Sequence, residues 1–327
     1  MSSNSAKQLF SRIFVVILSL TPLVAEICPS NNSISPCKCS ELIMKCHNIS
    51  ILQDLQNALQ GASGFQLDKF VLTNSVIHAL SSGIFSGCNF QHIIVERTNL
   101  PFLTSPVSGE SPFLGIAKRV TQVELREIYS LNEWDWALFF PIGTLRTMII
   151  SCCNFTFIPN DFGKLNTTNL QELTIEDSEV RWIGSSAFST LDRLLKLDLS
   201  RNMIKTLLRS MLPSNAIELI LTNNELTSLP SDIFINMTKL MILNLKNNKL
   251  ETLSLSTFLD LLKNEQRVTV EIEGNPWDCT CNIAWLNDGN IDVYDKDSAT
   301  CASPSALNNT VIENVNWSVL DCFKLGH

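Results

Sequence analysis

One pattern constrains the fold of this chain more than any other: apolar residues spaced as L-x-x-L-x-L-x-x-N-x-L. It is cleanest from Leu194 (LLKLDLSRNMI) and from Leu240 (LMILNLKNNKL). A third copy, AIELILTNNEL, begins at Ala216, and looser copies begin at Leu67, Phe90, Val120, Leu145, Leu170 and Arg267. Successive starts lie 23, 30, 25, 25, 24, 22, 24 and 27 residues apart, too regular for an ordinary globular core and right for a stacked repeat. The one long interval holds Thr104–Pro112 (TSPVSGESP), a turn-rich stretch that reads as a surface insertion.

The central x-L-x-L-x alternates, so its leucines share one face of a short strand while the residues between them point the other way. A single unit cannot bury its own apolar face; only a stack of units can. The predicted fold is therefore an α/β solenoid, a horseshoe of about nine repeats over residues 67–274 with a parallel β-sheet on its concave face. Nine strands give a face about 40 Å long at the usual inter-strand spacing. Asn202, Asn224, Asn248 and Asn275 occupy the asparagine slot, where a side-chain amide can bond turn backbone and form a ladder. Ser75, Thr98, Ile128, Cys153 and Ser178 stand there in the earlier copies, so the N-terminal half matches less well. Phe85, Phe162, Phe188, Phe234 and Phe258 sit shortly before successive strands as core anchors, with Met211 in place of phenylalanine in the seventh copy. Trp134, Asp135 and Trp136 fit no slot.

Before the repeats, Lys7 and Arg12 precede the apolar run Ile13–Ala25, the make-up of a signal peptide over residues 1–25 and too short for a membrane span. Nothing later is long and apolar enough to cross a bilayer, and the five residues after Cys322 leave no room for a lipid-anchor signal, so a secreted product is expected. All eleven cysteines lie beyond the leader, as an oxidising compartment favours. Seven N-x-S/T sequons agree with it: Asn31, Asn48, Asn154, Asn166, Asn236, Asn308 and Asn316. A formal charge of −8 lacks the basic footprint that nucleic acid requires.

Eight cysteines fall in two clusters, Cys28, Cys37, Cys39 and Cys46 within residues 26–66, and Cys279, Cys281, Cys301 and Cys322 within residues 275–327. A repeat stack needs its open ends covered, and the clusters stand at those ends. Spacing alone allows three disulfide pairings per cluster. A four-cysteine zinc site fits poorly, because cysteines one residue apart do not reach two corners of a tetrahedron comfortably. Of the other three, Cys88 and Cys153 read as buried thiols. Cys152 reads as exposed, a candidate for a disulfide to a partner or second copy, or else a quiet thiol.

The repeats and both clusters together resemble extracellular leucine-rich-repeat proteins with N- and C-terminal cysteine caps. That resemblance implies first-to-third and second-to-fourth pairing: Cys28–Cys39, Cys37–Cys46, Cys279–Cys301 and Cys281–Cys322. Within that class the chain resembles the non-catalytic subunit of oplophorus-luciferin 2-monooxygenase and its crustacean relatives. The likeness lies in Pro36–Cys39, Met44–Cys46, Gly83–Phe85, Cys279–Leu286, Ala299–Cys301 and the closing Asp321-Cys322. It implies a companion role beside a small secreted catalytic chain.

Outward strand positions are the expected contact surface. Their charged members are Lys69, Glu96, Glu124, Arg126, Glu172, Glu176, Lys196, Asp198, Glu218, Lys246, Glu271 and Glu273, eight acidic and four basic, with His92 as a titrating neighbour. The plain alternative is a solvated sheet face. No P-loop, nucleophile elbow, H-E-x-x-H or dinucleotide motif is present, and no cofactor is implied. His92 with Glu96 and Glu124 is the only histidine–carboxylate grouping, and reads as side chains that simply face water. The expectation is a non-catalytic, protein-binding chain. The alternatives are an extracellular-matrix or adhesion component and an innate-immune pattern-recognition protein; a hydrolase on a repeat scaffold has no motif behind it.

Overall fold

The computed structural model describes residues 27–107, 109–263, 267–289, 291–318, 320 and 322; the predicted leader lies outside them. Among the described residues the main sheet has twelve strands, each hydrogen-bonded to the next in chain order. Two come from the N-terminal cluster, β1 (Lys38–Ser40) and β2 (Ile43–His47). Nine come from the repeats: β3 (Lys69–Thr73), β4 (His92–Glu96), β5 (Gln122–Arg126), β6 (Thr147–Ser151), β7 (Glu172–Glu176), β8 (Lys196–Asp198), β9 (Glu218–Ile220), β10 (Ile242–Asn244) and β11 (Thr269–Glu271). The last, β12 (Asp292–Val293), belongs to the C-terminal cluster. All neighbours are parallel except the β1–β2 hairpin. The sequence expectation of nine strands is thus short by three: both end units continue the sheet instead of only covering it. The eleven parallel strands extend the face from about 40 to about 48 Å at ~4.8 Å per gap.

Within each repeat strand the residues facing in are buried, such as Leu173 and Ile175 of β7, and those facing out are mostly half-exposed. Behind the strands a file of rings runs through the core. Phe70, Phe85, Phe113 and Phe139 lie 5.4, 5.4 and 5.1 Å apart, centroid to centroid. Trp136 stacks on Phe139 at 5.8 Å and meets Phe162 at 4.6 Å, and Phe162 meets Phe188 at 5.9 Å. This places the residues that fitted no slot. Trp136 is fully buried in the ring file, and Trp134 donates its indole N–H to Leu100 O at 3.0 Å. Asp135 caps the turn Trp136–Phe139 by accepting from Ala137 N at 3.0 Å. In the seventh repeat Leu212, not Met211, is the buried anchor; Met211 only flanks the core.

The chain leaves each strand through one residue with positive φ: Asn48, Asn74, Arg97, Glu127, Cys152, Asp177, Arg201, Asn223, Asn247 and Gly274. Each of the first nine donates its N–H to a carbonyl of the following repeat, for example Arg97 to Arg126 O at 2.9 Å. These bonds hold a conformation that side chains other than glycine disfavour. At Gly274 a Cβ would also come within 2.0 Å of Asn247 Oδ1.

The ends are closed by four disulfides, Cys28–Cys39, Cys37–Cys46, Cys279–Cys301 and Cys281–Cys322. At the N-terminal end the helix α1 (Leu52–Gly61) lays Leu55, Ala58 and Leu59 on the core. At the C-terminal end Trp277 and Trp285 are buried and donate to Ile272 O (3.1 Å) and Leu253 O (2.9 Å). The buried carboxylate of Asp295 accepts from Ile272 N and Glu273 N at 2.8–3.0 Å, holding the turn where the chain leaves β11. No described helix is long and apolar enough to cross a membrane.

Candidate functional site

Parallel pairing in register puts Lys69, His92, Gln122, Thr147, Glu172, Lys196, Glu218, Ile242 and Thr269 side by side. The outward residues therefore form three columns across the sheet. The charged residues expected on this surface all stand in them or just past the strand ends. Their mutual geometry is what the spacing could not supply. Lys196 pairs with Glu218 at 3.1 Å in the adjacent strand, and Arg126 pairs with Glu124 in its own strand. Lys246 reaches Glu271 at 3.0 Å, Glu273 at 3.7 Å and Asp295 at 3.7 Å. The Glu271 hydrogen bond raises the Lys246 pKa above its ordinary range, so the ammonium stays charged. Asp198 accepts from its neighbour Ser200 N at 2.9 Å. Two arginines just off the face complete the pattern: Arg201 pairs with Glu176, and Arg97 with Glu96 at 2.7 Å. Among the described residues Glu172 is left without an ion-pair partner and is exposed.

The middle column was missed by counting charges alone. Val71, Ile94 and Ile149 lie in it on β3, β4 and β6, with Ile220 further along on β9, all half-exposed. Between Ile94 and Ile149 stands Glu124, 7 % exposed, whose carboxylate accepts from Gln122 Nε2 at 2.6 Å as well as pairing with Arg126. The signal was in the sequence: these branched apolar residues occupy the outward slots, where water-facing strands carry polar side chains. The face thus sets an apolar centre inside a frame of partly paired, net acidic charge.

His92 does not join Glu96 or Glu124 in a hydrogen bond among the described residues. Burial, with Lys69 beside it, lowers its pKa from the ordinary value, so it is neutral near pH 7. The described residues hold no cluster of three or more metal-ligating side chains. The asparagines of all seven sequons are exposed, and none is on the strand face: Asn48 and Asn154 lie in turns leaving strands, Asn166 and Asn236 on the return side, and Asn31, Asn308 and Asn316 in the end units. Cys88 and Cys153 are buried free thiols and Cys152 an exposed one.

Comparisons with known proteins agree with this architecture. Residues 214–263 match the family described as leucine rich repeat. Human trophoblast glycoprotein is 35% identical over 65 residues, 19% of this chain and 15% of that protein. A phospholipase A2 inhibitor of Gloydius brevicaudus siniticus is 37% identical over 46 residues, 13% of this chain and 14% of that protein. The matched stretches thus span about a seventh of these curated relatives. Among solved structures, a chain of the octameric complex of Latrophilin 3, Unc5D and the leucine-rich-repeat component FLRT2 superposes with a TM-score of 0.59 at 17% identity. The overlap covers 90% of this chain and 100% of that one. Human 5T4 (trophoblast glycoprotein) superposes with a TM-score of 0.53 at 19% identity, over 88% and 98% of the two chains. At these identities the likeness establishes the fold.

Proposed function

We propose that this leucine-rich-repeat solenoid, closed at both ends by disulfides, is a secreted, non-catalytic chain that captures a protein partner on its open strand face. The observation that carries the reading is the apolar middle column, Val71, Ile94 and Ile149, framed by paired charges on eleven in-register strands. Such a face offers apolar area for a flat partner beside charges that can fix its register, and is free of sequons. Support for secretion comes from the leader composition, the four bridges and seven exposed sequons. FLRT2, which shares the fold, stands in a complex with two other proteins.

The finer form of the proposal follows from the resemblance to the luciferase companion subunit: the partner is a small secreted catalytic chain. Exposed Cys152 is the one free thiol placed for a covalent link to it. Adhesion or matrix attachment and pattern recognition are the competing uses of the same face. Affinity capture from the native secretion separates them, since one small stoichiometric partner supports the companion reading and retention on matrix supports the other. Ile94→Asp, Ile149→Asp and Glu172→Lys are expected to weaken capture of that partner tenfold or more, as central positions of an interface do (about 1.4 kcal/mol or above). Unchanged affinity in all three folded variants would remove this face as the site.

A further inference from the structure

The turns leaving β3, β4 and β5 enclose a trough of about 560 Å³ at the edge of the sheet. One wall is the positive-φ row Asn74, Arg97 and Glu127; the other is Val76, Asn99 and Tyr129. The first wall is internally satisfied. Arg97 donates to Asn74 Oδ1 at 3.0 Å and pairs with Glu96 at 2.7 Å and Glu127 at 3.5 Å. Its cation is thereby consumed, and the trough has no positive charge to offer an anion. The second wall keeps Val76 60% and Tyr129 69% exposed, two large apolar groups with an amide between them. An ion-paired, hydrogen-bonding wall on one side and apolar surface on the other suit a hydroxyl-rich ring that has one apolar face.

The positive-φ row continues one unit toward the N-terminus, to Asn48, whose N–H bonds Thr73 O at 3.1 Å. Asn48 is exposed, its side chain has no hydrogen bond or ion pair among the described residues, and it heads the sequon Asn48-Ile49-Ser50. Ile49 O accepts from Val76 N at 2.8 Å, so the sequon abuts the mouth of the trough. We propose that the trough seats an N-linked glycan carried on Asn48, its first rings lying on Val76 and Tyr129. From the Asn74 turn to the Glu127 turn the trough crosses two inter-strand gaps, about 10 Å, room for two sugar rings in line. Attachment takes an oligosaccharide from a polyprenyl diphosphate donor. The Asn48 Nδ2–C1 bond forms as the C1–O bond to the diphosphate breaks, the amide loses one proton, and the lipid diphosphate leaves. The proposal rests on the secretion reading above. Asn154, equivalent to Tyr129 one repeat later, lies beyond the trough's Tyr129 end and is the rival source of sugar.

Tyr129 and Tyr294 are the only tyrosines of the chain, 69% and 70% exposed, which supplies an internal control. The full protein is secreted from glycosylating eukaryotic cells, site occupancy is read by glycopeptide mass spectrometry, and the folded protein is nitrated with tetranitromethane. Asn48 is expected to be occupied and Tyr129 to nitrate severalfold more slowly than Tyr294. Asn48→Gln should bring the two rates together with Tyr294 unchanged, while Asn154→Gln keeps Tyr129 protected. Any other pattern overturns the proposal, including equal rates in the unaltered protein. Sugar elsewhere but none on Asn48 overturns it alone; sugar on none of the seven sequons overturns the secretion reading with it.

Discussion

The three free thiols occupy three different electrostatic environments, and a thiol's chemistry follows its thiolate. Cys88 is fully buried, and burial pushes its pKa up to about 12. Burial likewise raises Cys153 to about 11, although its Sγ accepts from Ile128 N at 3.3 Å. Cys152 is exposed, yet its pKa is also raised, by burial first, then by its contact with Asp177 Oδ2 at 3.5 Å and by Glu127 and Glu176. A thiol-specific reagent at pH 8 is expected to label one site in the folded protein, Cys152, more slowly than free cysteine, and Asp177→Asn should speed it. Labelling of Cys88 or Cys153 without unfolding would contradict their burial. The pH dependence of stability has a definite sign. An unfolded thiol titrates near about 8.5, so above that pH the unfolded chain sheds protons that the folded one keeps. The contribution is whole below that value and drains away as pH rises toward the folded pKa values, by up to about 1.4 kcal/mol per pH unit per thiol. Replacing both buried thiols (Cys88→Ala with Cys153→Ser) should flatten urea-derived stability between pH 9 and 11.

Among the elements, the turn ladder decides how firmly one repeat holds the next. Asn248 accepts from Leu226 N at 3.1 Å and donates to Leu221 O and Leu245 O at 2.9 and 3.0 Å, so one buried amide joins two repeats through three bonds. Asn202, Asn224 and Asn275 do the same. In the earlier repeats Ser75, Cys153 and Ser178 make a shorter version. Each donates to the carbonyl two residues back and accepts from one N–H of the preceding unit, as Ser178 does with Glu176 O (2.8 Å) and Cys153 N (3.2 Å). Strand length follows the arm: the hydroxyl, thiol and Ile128 repeats keep five-residue strands, and the asparagine repeats have three-residue ones. Asn248→Ala leaves the Leu226 N–H unpartnered and takes one of two amide donors from each of Leu221 O and Leu245 O, which keep Asn224 and Asn275. It should cost about 2–4 kcal/mol, against about 1–2 for Ser178→Ala. Equal losses in urea unfolding would show that the longer arm adds nothing. Here the limits of reading from sequence become physical. The asparagine repeats were legible because one residue type does the whole job. The early ones looked degenerate because serine, threonine and cysteine do half of it and no pattern keyed to asparagine recognises them. The strand face was legible as a set of positions, since alternation fixes which side chains point out. Its pairings were not: Arg97 and Arg201 reach the face from turns one or two residues beyond the slots. The strands added by the end units were hidden for the same reason, having no leucine periodicity to announce them.

For the molecule as a whole, stability in a stack is close to a sum of units and nearest-neighbour contacts, so the weakest contact sets where opening begins. The ring file marks that place. It runs unbroken from Phe70 to Phe188 and resumes from Phe234 through Phe258 to Trp285 at 5.3 and 4.9 Å. Between Phe188 and Phe234 no described ring pair exists. The turn Arg209–Met211 there buries none of its residues, and Arg209 instead holds Ile235 O, Leu212 O and Ser214 Oγ at 2.5, 2.9 and 2.8 Å. The sheet itself is continuous across this point through β8, β9 and β10, and behind it the aliphatic side chains of Leu207 and Leu212, instead of rings, fill the core between the two halves. Phe162, packed on Trp136 and Phe188, should cost about 3–5 kcal/mol when cut to alanine, whereas Met211→Ala should cost well under half of that. Hydrogen exchange should then show the amides around Arg209–Met211 opening at a lower free energy than those around Phe162 or Phe258. Uniform protection along the solenoid, or equal losses from the two substitutions, would mean that the strand ladder alone couples the repeats and the rings behind it only fill space.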